Sequence, residues 1–162
     1  MTVMAAFRLR PATPADLEAI NAVIERAVMT WNLPERVKRL TLPSYRYSEH
    51  DLDHLHIVVV EDGDHAVLGV AAWEPASPRD IPEGKTGLLL HGLYVDPPRQ
   101  RGGIGSQLLD AAVAATRENQ VDGLLVKARP EASGFFIGRG LEPLPVTDAE
   151  RDYPHRFWKA VS

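Results

Sequence analysis

Between Leu88 and Glu118 the chain passes from an apolar run, Leu88-Leu89-Leu90-His91-Gly92-Leu93-Tyr94-Val95, through the basic, glycine-rich stretch Asp96-Pro97-Pro98-Arg99-Gln100-Arg101-Gly102-Gly103-Ile104-Gly105-Ser106, into a helical pattern. The run is apolar on both alternating faces, as a central strand buried on both sides is. Ile104, Leu108, Ala111, Ala112 and Ala115 then share one helical face, with Gln107, Asp110, Arg117 and Glu118 off it. Such a chain must turn from a buried strand into a helix within a few residues. Gly102, Gly103 and Gly105 remove side chains where that helix begins. The N–H groups of its first turn are thereby left unhindered at the positive end of the helix dipole. Arg99 and Arg101 add positive charge at the same place, so the turn predicts an anion site made of backbone, suited to a pyrophosphate.

Two phosphate motifs are excluded. No Gly-Lys-Ser or Gly-Lys-Thr is present for a P-loop, and Gly103-Ile104-Gly105 is followed by Ser106-Gln107-Leu108, so the third glycine of a dinucleotide fingerprint is missing. What remains is Gln-x-x-Gly-x-Gly, spelled by Gln100, Gly103 and Gly105. Set between strand, Asp-Pro and helix, it resembles the pyrophosphate loop of the GNAT superfamily of acyl-CoA-dependent N-acetyltransferases. The resemblance implies an α/β (α+β) fold, with a mixed central sheet of about six to seven strands flanked by helices. Its two central strands splay apart below the glycine turn to admit a pantetheine arm. It also implies a single acetyltransferase domain over residues 1–162, with acetyl-CoA as cosubstrate. Leu93, Val95, Gln100, Arg101, Gly102, Gly103, Ile104, Gly105 and Ser106 are its expected contacts.

Bulk properties agree with one globular domain: 162 residues, 44% of them hydrophobic. Cysteine is absent, which excludes disulfides, thiolate metal sites and a cysteine nucleophile. No apolar run reaches membrane-spanning length, and Met1 to Arg10 lacks the apolar segment of a secretory signal, so the cytosol is expected. A net charge of -4 argues against non-specific nucleic-acid binding.

Phe7 to Arg10 alternates like a strand, and Thr13, Pro14 and Asp16 suit the start of a helix whose face is Leu17, Ile20, Ile24, Ala27 and Val28. This opening also resembles GNAT proteins. Met29 to Leu55 reads as a short helix over Leu33 to Leu40 followed by loop. By the resemblance, its aromatic residues Trp31, Tyr45 and Tyr47 are candidates for acceptor contact. His50-Asp51-Leu52-Asp53-His54-Leu55-His56 concentrates histidines, but the zinc-protease pattern needs Glu where Asp51 stands, so a polar loop is expected and no metal. Leu55 to Glu61 and Ala66 to Trp73 read as an antiparallel hairpin. After the glycine turn and its helix, the pattern predicts a strand at Gly123 to Ala128, a short helix at Glu131 to Gly138, and strands at Leu141 to Leu144 and Arg156 to Val161.

Acetyl transfer to an alkylamine, with a pKa of about 10.4, requires removal of a proton at neutral pH. His91 is ionisable inside an otherwise apolar strand, and its ordinary pKa of about 6.5 suits a base; a core histidine satisfied by backbone is the alternative. The resemblance favours the base, because GNAT enzymes commonly place glutamate or histidine on this strand. The family often protonates the departing thiolate with the tyrosine of a Phe-Tyr pair, and here the pair is Phe135-Phe136. Another acid is therefore expected, Tyr153 first, or else Tyr94 or water. Arg129 likewise stands where many relatives have asparagine. The reading is an N-acetyltransferase acting on a primary amine, by direct attack on the thioester. The alternatives are a CoA-binding sensor that has lost the chemistry and a metal enzyme built on His50, His54 and His56. The expected partners are the unidentified amine acceptor and, at most, a second copy in a homodimer; nucleic acid and membrane are not expected.

Overall fold

The structure, a computed structural model, describes residues 7–100 and 102–161. Its elements in chain order are β1 (Arg8–Pro11), α1 (Leu17–Met29), α2 (Glu35–Tyr45), α3 (Glu49–His54), β2 (His56–Glu61), β3 (Val67–Pro75), β4 (Gly87–Val95), α4 (Ile104–Glu118), β5 (Gly123–Lys127), α5 (Ser133–Gly138), β6 (Glu142–Pro143) and β7 (Arg156–Ala160). The strands form one sheet in the order β1-β2-β3-β4-β5-β7-β6. It is mixed: β1 runs antiparallel to β2, β4 parallel to β5, and β7 antiparallel to both β5 and β6. The parallel pair needs a crossover, and α4 supplies it. The mixed sheet with flanking helices is the fold that the sequence implies.

The chain forms two compact units, one comprising residues through Ala72 with Gly92–Asp110, the other Trp73–His91 with the residues from Ala111 on. In the first, α1 buries Ile20, Val23, Ile24 and Val28 against Leu42, Tyr47, Ile57, Val59, Val67, Val70 and Ala72, with Trp31, Tyr45 and Tyr94 packed at the margin. Arg10 of β1 ties this unit's N-terminal corner together, its guanidinium lying 2.8 Å from Asp16 and 3.0 Å from Glu61. The Asp16 carboxylate also accepts the Thr13 N–H at 2.8 Å. The hydrogen bond from Arg10, and then that from Thr13, outweigh partial burial and bring the Asp16 carboxyl down to about 2. Thr13 and Pro14 do introduce a helix, through a 3-10 turn at Pro14–Asp16.

Two expectations fail between α1 and β2. The helix after Leu33 continues through Pro43 to Tyr45. Buried Leu42 holds its last turn to the core, and the Thr41 and Ser44 hydroxyls donate to Val37 O and Thr41 O. The polar loop around His50 is helix α3, opened by a reciprocal cap in which Ser48 N–H donates to the Asp51 carboxylate at 2.8 Å and Asp51 N–H to Ser48 Oγ at 3.4 Å. Tyr47, between these helices, is clasped through its backbone by the Asn21 side chain in two 2.9 Å hydrogen bonds.

In the second unit the β4–β5 ladder runs from Gly87↔Gly123 to Leu90↔Val126, while β4 itself continues to Val95. The expected burial of β4 on both faces therefore lapses: Leu88 and Leu90 are buried, but from His91 onward the strand is partly exposed. Leu125 and Trp158 form a core with Ile81, and Phe136 of α5 stacks on Phe157 at 6.2 Å. The buried Arg156 guanidinium joins three stretches of chain, donating to Asp80 O at 2.8 Å, Pro145 O at 2.9 Å and Tyr153 O at 3.3 Å. Asp152, 3.5 Å from Arg156, accepts the N–H groups of Asp148 and Thr147, and these hold its carboxyl well below the usual carboxylate range.

Candidate functional site

In the first unit, the end of β4 turns into α4 over eight residues, held by two long-range bonds at its start and by local bonds beyond it. Asp96 N–H donates to Leu68 O on β3 at 2.8 Å, and the Asp96 carboxylate receives Arg26 of α1 at 2.7 Å. The prolines at 97 and 98 preset a 3-10 turn through Arg99, closed by Arg99 N–H to Asp96 O at 2.8 Å. Gln100 folds its amide back to Val95 O at 3.4 Å. Gly103 O receives Gln107 N–H at 3.0 Å and so opens the helical ladder. Gly103 has φ +88, and among the described residues a Cβ built on it would meet nothing within 4 Å. The turn therefore combines a backbone conformation that side chains resist with open space above it.

The head of α4 is fixed from below. Ile104 is buried, and a Cβ on Gly69 of β3 would come within 2.8 Å of Ile104 Cγ2 and 3.0 Å of Leu108 Cδ1. Helix and strand are thus in contact with no side chain between them at Gly69. The first turn, Ile104 to Ser106, precedes any carbonyl its own helix could offer, and its dipole favours an anion. Of the expected contacts, Leu93, Val95, Gln100, Gly102, Gly103, Ile104, Gly105 and Ser106 are contiguous with this turn. Arg101 lies outside the described residues. A pyrophosphate fits the geometry: an uncluttered positive-φ glycine at a helix N-terminus leaves room for its oxygens and N–H groups to bind them.

His91 and Tyr153 both belong to the second unit. The His91 side chain is 42% exposed, which removes the core-histidine alternative, and its Nε2 lies 4.0 Å from Glu74 Oε2. Tyr153 donates its hydroxyl to Ala128 O at 2.8 Å, and its ring meets His155 edge-on. Tyr94, in the first unit, is pushed well above the usual phenol range by burial and then by the neighbouring Tyr45. Phe136 is buried between Phe135 and Phe157, and Arg129 pairs with Glu131 at 3.2 Å. In α3, His54 Nδ1 lies 2.8 Å from His50 O, and the two rings lie tilted against each other with centroids 4.0 Å apart. Among the described residues no three His, Asp or Glu side chains are grouped to hold a metal ion.

Two residues escaped the sequence reading. Glu74 is the one charged residue in the run Val67 to Glu74, and Gly69 is the one glycine inside it. A charge or a glycine inside a strand is a signal in its own right.

The family model described as the acetyltransferase (GNAT) family matches residues 24–136. No curated protein sequence matches the chain. Among solved structures, the PaiA N-acetyltransferase of Thermoplasma acidophilum in complex with coenzyme A superposes with a TM-score of 0.74 at 16% identity, over 96% of this chain and 99% of that one. A GNAT family acetyltransferase of Brucella melitensis in complex with acetyl-CoA gives 0.66 at 21% identity, over 98% and 90%. An acetyltransferase of the GNAT family from Staphylococcus aureus Mu50 gives 0.70 at 14% identity, over 97% and 100%. At such identities the likeness carries the fold, and the family model, spanning more than half of the sequence, carries the kinship: this chain belongs to the GNAT acetyltransferase family.

Proposed function

We propose that the chain transfers the acetyl group of acetyl-CoA to a primary amine, by direct attack of the amine on the thioester. The observation that supports this most is the turn at Gly103, where positive φ, open space and a helix N-terminus coincide. In this reading Gly102, Gly103, Ile104, Gly105 and Ser106 hold the pyrophosphate through backbone N–H groups, and Gln100 holds the loop in shape through Val95 O. Leu93 and Val95 offer strand backbone to the pantetheine arm. His91 takes the proton of the amine, which at neutral pH arrives as an ammonium. The thiolate of coenzyme A departs with little help from an acid, because a thiol of pKa about 8.5 is a good leaving group. That chemistry is compatible with Phe136 as a packing residue. It is equally compatible with a Tyr153 whose hydroxyl serves Ala128 O.

The test is a panel of primary amines with acetyl-CoA, read by release of free thiol, on wild type and His91→Ala. Turnover should fall by about 10² to 10⁴ in the variant, with unchanged affinity for acetyl-CoA by calorimetry. Binding of coenzyme A with no transfer to any amine would leave a sensor instead of an enzyme. Absence of binding would end both readings.

A further inference from the structure

We infer that Glu74 is a second acceptor-binding residue, and that with His91 it forms a two-point receptor for the ammonium group of the amine. This rests on the reading of His91 as base and adds to it the form in which the acceptor is recognised. Glu74 Oε2 and His91 Nε2 face each other at 4.0 Å from neighbouring strands, their side chains 35% and 42% exposed. The separation is too long for a direct hydrogen bond. It suits a shared donor: a nitrogen about 2.8 Å from both atoms would see them about 90° apart, within reach of two N–H bonds of one tetrahedral ammonium. Both atoms are acceptors when the carboxylate is ionised and the imidazole proton is on Nδ1.

The two groups divide the work. The carboxylate attracts the cation that predominates at neutral pH, which a lone imidazole does not do. Nε2 then takes one proton from R–NH3+, giving R–NH2 and an imidazolium facing Glu74. The amine lone pair attacks the thioester carbonyl, the C–N bond forms, the C–S bond breaks, and the electron pair leaves on sulfur. The amide nitrogen sheds its surplus proton to solvent or to the departing thiolate, and the imidazolium returns its own to solvent.

The discriminating experiment compares two acceptors: an alkylamine, protonated at neutral pH, and an arylamine of low basicity, neutral there. Glu74→Gln should raise KM for the alkylamine and lower its kcat/KM by about 10- to 100-fold, while the arylamine changes by less than about threefold and KM for acetyl-CoA is unaltered. Glu74→Asp should restore part of the alkylamine activity. Equal losses for both acceptors, or no loss for either, would overturn the receptor. Should wild type acetylate neither, the base reading fails separately, and the receptor is then judged by binding. Propylammonium chloride should shift the His91 ring proton resonances of the wild-type protein saturated with coenzyme A and leave those of Glu74→Gln unmoved. Unmoved resonances in wild type, or equal shifts in both, would refute it.

Discussion

Gly69 on β3 lies so close beneath Ile104, the first residue of α4, that a methyl group added at Gly69 would stand 2.8 Å from Ile104 Cγ2 and 3.2 Å from Tyr94 O. One of these neighbours is a backbone carbonyl and the other belongs to a buried side chain, so neither can retreat freely. Gly69→Ala should therefore destabilise the fold by about 1–3 kcal/mol. It should also weaken coenzyme A binding, because the head of α4 must move. Gly63→Ala is the control, since among the described residues nothing lies within 4 Å of its added Cβ. Denaturant melts and calorimetric titration of both variants decide the matter. A Gly69→Ala protein as stable as Gly63→Ala, with undiminished affinity, would show that the contact is not needed.

At Gly103 the constraint is different. Among the described residues no atom obstructs a side chain there, and the cost of substitution lies in φ +88 and in what the side chain does to the space above the turn. Gly103→Ala should cost about 1–2 kcal/mol of backbone strain. Gly103→Glu should incur a similar strain, and in addition place bulk and negative charge where the pyrophosphate binds, abolishing coenzyme A binding in a protein that still folds. Calorimetry on the folded variants separates the two effects. Full affinity in Gly103→Glu would remove the turn from the cofactor site.

Asp16 gives a prediction in pH. Its carboxyl falls to about 2 in the folded chain, chiefly through Arg10, so it favours the folded state whenever the carboxylate is ionised. That stabilisation is fully present above the unfolded value of about 4 and drains away as pH falls toward 2. After solvent screening it amounts to about 1 kcal/mol. Asp16→Asn keeps an acceptor for the Thr13 N–H but loses the charge. The stability gap between wild type and variant, measured by denaturant melts, should be constant from pH 7 to pH 5 and narrow steadily from pH 4 to pH 2.5. A gap that stays constant throughout would mean that the Arg10–Asp16 pair contributes nothing beyond its hydrogen bonds.

These residues also show which parts of the molecule could be read from the chain alone. The glycine turn was legible because its signals are local: prolines preset the turn, glycines permit it, and the apolar period changes from strand to helix within a dozen residues. The strand after α4 was legible from the apolar run at Gly123 to Ala128, while its parallel pairing with β4 is a finding of the structure. Helix α3 was missed although Ser48 and Asp51 spell its cap, because six residues with three charges bear no apolar stripe. The end of α2 was missed because Pro43 argues against a helix that Leu42 nevertheless anchors. The exposure of His91 was hidden for a different reason. Burial depends on where the β4–β5 ladder stops, and although Gly92 interrupts the apolar run just past that point, a glycine alone does not say that pairing has ended. Glu74 escaped because its meaning comes from facing His91 across neighbouring strands, and the register that brings them together is not written in either run.

Phe136 provides the last prediction, where the family pattern and this chain part. In relatives a tyrosine at the corresponding place often serves as general acid, so Phe136→Tyr tests whether a lost hydroxyl disabled the protein. The ring is buried, stacked on Phe157 and edge-on to Phe135. A hydroxyl added there displaces packed atoms or is left without a partner, at a cost of about 1–3 kcal/mol. The thiolate needs little help to leave, so no comparable gain in rate offsets that cost. Phe136→Tyr should therefore melt at a lower temperature than wild type, while turnover on the best amine changes by less than about threefold, far below the range of general-acid catalysis. Wild-type inactivity rescued by this one substitution would mean that coenzyme A is held here without being used, and that the ring at 136 is what separates a binding protein from an enzyme.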